Sequence, residues 1–132
     1  MPITIDWYDD TQTILHYRFE TPWTWGEYRA AIDAAWELAQ SVDHPTDTIT
    51  DMRHSRVVPD RLFQNIRQSM VEIPDTTQTV VLVGTNRFVE ALLGIMRRLY
   101  PQQMGKFFST ETVEEAHALI TRRRAEAVQS GD

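Results

Sequence analysis

The chain has no cysteine. That excludes disulfides, thiolate nucleophiles and Cys-ligated zinc or iron–sulfur sites, and it fits a reducing compartment. Lysine is nearly absent: Lys106 is the one lysine among 13 cations. Five glycines are scattered along the chain, so there is no Gly-rich loop of the kind that cradles phosphates. No apolar run nears the roughly 20 residues of a membrane span. The opening Met-Pro-Ile-Thr-Ile-Asp lacks the basic-then-apolar pattern of a secretory leader, so cytoplasm is the expected location. Positive charge is also in deficit. Nineteen acidic against 13 basic residues give a net charge of −6, which repels polyphosphates and argues against a nucleic acid partner.

What is present fits one domain, 1–128, followed by a frayed tail at 129–132. A chain of 132 residues buries roughly two thirds of its unfolded surface and needs no staple. Ile3 to Tyr8 and Thr13 to Phe19 alternate apolar and polar residues around Asp9-Asp10-Thr11, the pattern of an antiparallel hairpin. Thr24 and Glu27 have capping-box spacing. The helix they open runs to about Val42, with Tyr28, Ala31, Ile32, Ala35 and Leu38/Ala39 recurring at helical spacing. Asp47 to Arg53 reads as a short strand. Pro59 suits a first helical position, and Leu62, Phe63, Ile66 and Met70 give that helix its face.

Thr79 to Gly84 is a continuous apolar run, as in a strand buried on both faces. Thr85-Asn86 is placed to cap a helix whose face is Phe88, Leu92, Ile95, Met96 and Leu99. Lys106 to Ser109 is a last strand. Thr110 then caps a final helix carrying Val113, Ala116, Leu119 and Ile120. The order β-β-α-β-α-β-α-β-α predicts an α/β fold: a five-stranded mixed sheet, an N-terminal hairpin then β-α repeats, with about four helices. The TVVLVG strand should be interior.

This order, the Thr48–Arg53 strand leading into a Pro59-initiated helix, and the ending FFSTETVEEAHALI resemble the STAS family, the SpoIIAA-like fold of anti-sigma factor antagonists. The resemblance covers about Ile3 to Arg123. It implies helices mainly on one sheet face, action through protein contact, no cofactor and no catalysis. Antagonists of that family carry a phosphorylated serine after the third strand. The corresponding position here falls near Asp60, so the phosphorylation site does not carry over. The loop carrying His54, Ser55, Arg56, Asp60 and Arg61 is the expected partner contact, with Asp60 as a permanent charge where a phosphate would otherwise sit. The expected function is a noncatalytic STAS-like regulatory or protein-interaction module. The alternative is a small-ligand or lipid-binding protein of SpoIIAA-like or CRAL-TRIO-like fold.

In such a sheet Asp51, Arg53, Thr85, Asn86, Ser109 and Thr110 would share one edge with three helix N-termini, a setting that favours anions or acidic side chains. Asp51, His54 and Ser55 are the residue types of a hydrolase triad, but no Gly-x-Ser-x-Gly turn surrounds them. His16, His44, His54 and His117 are too scattered for metal-ligand spacing. Arg97-Arg98 and Arg122-Arg123-Arg124 read as last-turn cations offsetting helix dipoles. Trp36 reads as core. Trp23 and Trp25 flank the first helix cap and form either a packed helix entry or an aromatic patch. That corner, with a sheet face left uncovered, makes a homodimer possible.

Overall fold

The computed structural model describes residues 2–55, 61, 64, 65, 67, 68 and 76–129. The Pro59 helix, with Leu62, Phe63, Ile66 and Met70, falls outside those residues. Within them, Gln64, Asn65, Arg67 and Gln68 are helical.

Five strands form one mixed sheet in the order β1-β2-β3-β4-β5. They are β1 (Ile3–Trp7), β2 (Ile14–Glu20), β3 (Thr46–His54), β4 (Thr77–Val83) and β5 (Phe107–Thr110). β1 pairs antiparallel with β2, and β2 to β5 are mutually parallel. Besides the helical residues 64, 65, 67 and 68, the described residues form the α-helices α1 (Trp25–Gln40), α2 (Arg87–Leu99) and α3 (Val113–Gln129).

Alternation along the strands sorts side chains onto two faces. One face carries Ile3, Phe19, Leu15 and Ile5. Against it α1 lays Ala31, Ala35 and Ala39, small residues that let the helix sit close to the sheet. α2 joins the same face through Val89, Leu93 and Met96, which pack with Leu82 and Phe107. The opposite face carries Ile14, Ile49, Val81 and Val83, covered by Val113, Ala116 and Ile120 of α3. Ile49, Val81, Val83, Ala116 and Ile120 are fully buried, as a central strand covered on both sides requires.

Helices therefore lie on both faces, and the face expected to stay open is partly closed by α3. α3 covers the apolar Ile14, Ile49 and Val81 row with its own Val113, Ala116 and Ile120.

Three readings of helix faces are corrected. Trp36 is exposed at 37 %, because it lies about 100° round α1 from the Ala35 contact row. In α2, Leu92 and Met96 are buried with Val89 and Leu93, whereas Phe88, Ile95 and Leu99 are exposed; α2 carries two adjacent apolar stripes, and periodicity alone does not choose between them. Arg122 to Arg124 sit within α3, not in its last turn, because the helix runs on to Gln129. Arg124 Nε instead donates to buried Asp47 Oδ2 at 2.7 Å, and its Nη2 to Thr13 O at 3.1 Å. Arg123 stacks its guanidinium 4.5 Å from the Phe108 ring centre and donates to Thr79 Oγ1. The two arginines clamp α3 across the sheet.

Candidate functional site

Four parallel strands end at one edge, where Glu20 pairs with His54, Asp51 with Val83, and Val83 with Thr110. This register gathers Asp51, Arg53, His54, Thr85, Asn86, Ser109 and Thr110 there, the shared edge that strict strand–helix alternation implied.

Asp51, Arg53, Thr85, Asn86, Ser109 and Thr110 each have a bonded side chain. Asp51 is buried, and its carboxylate takes a two-pronged contact from Arg53, Nε at 2.9 Å and Nη2 at 2.7 Å, plus the Arg53 backbone N–H at 3.1 Å. Burial pushes the Asp51 carboxyl up, but the Arg53 donors outweigh it and hold the group below the ordinary carboxylate range. Arg53 is in turn pressed against Gly84. A Cβ built on Gly84 would lie 2.4 Å from Arg53 Cγ and 3.0 Å from Arg53 Cα, and Gly84 adopts φ +73°. Only glycine fits that approach without strain. The Gly84 N–H donates to Thr110 O at 3.0 Å, tying β4 to β5 at the edge.

The helix starts carry their own caps. Asn86 Oδ1 accepts from the Val89 N–H at 2.8 Å. Thr112, two residues later than expected, caps α3 through the Glu115 N–H at 3.0 Å, while Glu115 Oε1 accepts from the Thr112 N–H at 3.1 Å. Thr110 Oγ1 donates to Thr112 O. Glu90 accepts from Thr85 Oγ1 and from Ser109 Oγ. With Glu111, Glu114 and Glu115 also exposed, the β4–β5 side of the edge is acidic. The β3 side carries the exposed Arg53 and His54.

The loop after β3 is joined to the loop after β2. The Thr21 N–H donates to His54 O at 3.2 Å, and Trp23 Nε1 donates to Ser55 Oγ at 2.8 Å. Trp23 packs edge-on against Phe19 and Trp25, and Trp25 edge-on against Tyr28. The aromatic corner is thus a packed helix entry that also anchors Ser55. Of the remaining loop residues, Arg56 and Asp60 lie outside the described residues. Arg61 is exposed in a turn with φ 60°.

A second polar group lies on the α3 side of the sheet, and the sequence did not reveal it. The Tyr8 ring stacks on His117 at 5.1 Å and meets His16 edge-on at 5.7 Å. His16 Nε2 is buried with no hydrogen-bond partner among the described residues. Burial, then the nearby Arg18 charge, lowers the His16 pKa, against the opposing pull of Asp6 and Asp51. Tyr8 and His16 occupy same-face strand positions, a signal present in the alternation. His117 could be added only by knowing which face α3 covers. Among the described residues no group of three or more His, Asp or Glu is arranged to hold a metal ion, and no helix is long and apolar enough to cross a membrane. No protein-family model matches the chain. No curated protein matches it either.

Proposed function

We propose that this protein is a noncatalytic interaction module of STAS-like type, working through protein contact at the C-terminal edge of its parallel strands. The observation that carries the reading is the strand order. It runs β1 to β5 without reversal, and ligand crevices in open α/β sheets form where the order reverses. A sheet without that reversal presents its edge as a surface, which suits a macromolecular partner better than a small substrate.

The local chemistry supports the same reading. The polar groups at the edge are held by one another: Asp51 by Arg53, Ser55 by Trp23, and Thr85 and Ser109 by Glu90. A constellation fixed in this way is a rigid template, and rigid surfaces lose little entropy on binding. Its charge is divided, with Arg53 on the β3 side and Glu90, Glu111 and Glu114 on the β4–β5 side. A partner matching it carries an acidic patch and a basic patch in that order, which fixes orientation and speeds encounter.

The test is a photo-crosslinking amino acid at position 54, with one at position 43, beyond the opposite end of the parallel strands, as the control. Partner adducts at 54 and not at 43 support the reading. Adducts at 43 alone, or at neither position, refute it.

A further inference from the structure

We infer that a second copy of this chain docks on β1, edge to edge about a two-fold axis through Ile5, making one continuous sheet through two protomers. This surface is distinct from the C-terminal edge and independent of the function proposed there.

β1 stands at the margin of the sheet with β2 as its one neighbour. In an antiparallel pair, alternate residues exchange their backbone hydrogen bonds with the partner strand and the others point away. Here the Glu20 N–H donates to Pro2 O at 2.7 Å and the Tyr8 N–H to Ile14 O at 2.8 Å. The even positions of β1 therefore face β2. The N–H and C=O groups of Ile3, Ile5 and Trp7 face outward, a ready template for another strand. Pro2, which lacks an N–H, occupies an inward position and removes no outward donor. At the other margin, Arg97 Nη2 reaches the Phe107 carbonyl, so a charged side chain lies over β5.

Charge selects both the occupant and the register. Arg18 Nη2 holds Asp6 Oδ2 at 2.6 Å, and Arg18 Nε donates to Thr4 Oγ1 at 3.2 Å. Both charged groups are about half exposed. In a two-fold centred on Ile5, Asp6 of one protomer lies opposite Thr4 of the next, beside that copy's Arg18. The distance is two strand spacings, roughly 10 Å between backbones, within the combined reach of an arginine and an aspartate. Two Asp6–Arg18 pairs then close into one four-membered network. All three outward residues are used, Ile3 meeting Trp7 and Ile5 meeting Ile5. A shift centred on Asp6 would set like charges directly opposite, which is destabilising. A shift centred on Thr4 would leave Trp7 without a partner. On the α1 side the half-buried Ile5 and Trp7, with Leu38 beside them, gain apolar cover.

The absence of native cysteine makes the test clean. Sedimentation at ~50 µM, a concentration matched to a micromolar Kd, is expected to show a dimer. Ile5→Cys is expected to give a covalent dimer with a short bis-thiol crosslinker, since Ile5 would face its own copy at a hydrogen-bonded pair, about 5.5 Å between Cα atoms, with the Cβ atoms wider apart than a disulfide accepts. Ile5→Pro removes one outward N–H at an edge position where proline is tolerated. It is expected to be monomeric with an unchanged far-UV spectrum. Asp6→Arg should weaken the dimer at least tenfold, and Asp6→Arg with Arg18→Asp should restore it. This charge swap keeps the test decisive if Ile5→Pro fails to fold. A monomeric wild type, or a dimer that Ile5→Cys does not crosslink, overturns the inference.

Discussion

Gly84→Ala isolates the contact on which the candidate edge is built. Gly84 sits at φ +73°, and placing a Cβ there costs about 1–2 kcal/mol in left-handed strain. The new methyl would also stand 2.4 Å from Arg53 Cγ, so the Arg53 side chain must swing away. Doing so breaks the two-pronged contact with Asp51, whose side chain is only 5 % exposed. Stranding that carboxylate costs a further 1–3 kcal/mol or so. The sum is about 2–5 kcal/mol, a large part of the roughly 5–15 kcal/mol that holds a domain folded, and a drop in Tm on the order of 10 °C. Urea unfolding of the wild type, Gly84→Ala, Arg53→Ala and the double variant completes a cycle. The double variant should cost about 1–3 kcal/mol less than the sum of the singles, because the Asp51 contact can be lost only once. Additive costs, or a Gly84→Ala penalty under about 1 kcal/mol, would refute the argument.

Arg124→Ala should destabilise by about 2–3 kcal/mol in denaturant melts: it strands buried Asp47, while the part-exposed arginine site lets some water back. His16 has a lowered pKa in the fold, so the unfolded chain takes up its proton first. The stability His16 gives is present above about pH 6.5 and is lost as pH falls through the lower folded value. Wild-type Tm should accordingly fall more between pH 7.5 and 5.5 than that of His16→Gln, and parallel curves would refute this. For Asp51, also lowered, the stability is lost below about pH 4, and the difference between wild type and Arg53→Ala should shrink in that range. Ser55→Ala removes the acceptor of the Trp23 indole N–H. Tryptophan emission should shift as that ring loosens, with under about 2 kcal/mol lost.

Much of the fold was legible because its signals are local. The Thr24–Glu27 capping box, the alternating hairpin and the buried TVVLVG strand each rest on neighbouring residues, and each is present. Parallel alternation then implied the shared edge of Asp51, Arg53, Asn86 and Ser109. What the sequence hid depends on contacts between distant segments. Arg124 lies 111 residues from Thr13, and nothing around either residue signals the clamp. The choice between the two apolar stripes of α2 was settled by where β4 and β5 sit. The exposed position of Trp36 follows from three alanines setting the depth of α1. The Trp23–Ser55 bond joins residues 32 apart, and pattern reading kept the aromatic corner separate from the loop it anchors.

The central claim is that the edge bearing Arg53 and His54 is where a protein partner binds. The most direct measurement is the affinity of the partner recovered from native lysate for wild type, His54→Glu and Asp43→Arg, each confirmed folded. Placing a negative charge at position 54, beside Arg53, is predicted to weaken binding at least tenfold, about 1.4 kcal/mol. The change at position 43, at the opposite end of the strands, is predicted to leave binding within about twofold. Equal affinity across all three proteins, or loss only in Asp43→Arg, would contradict the account.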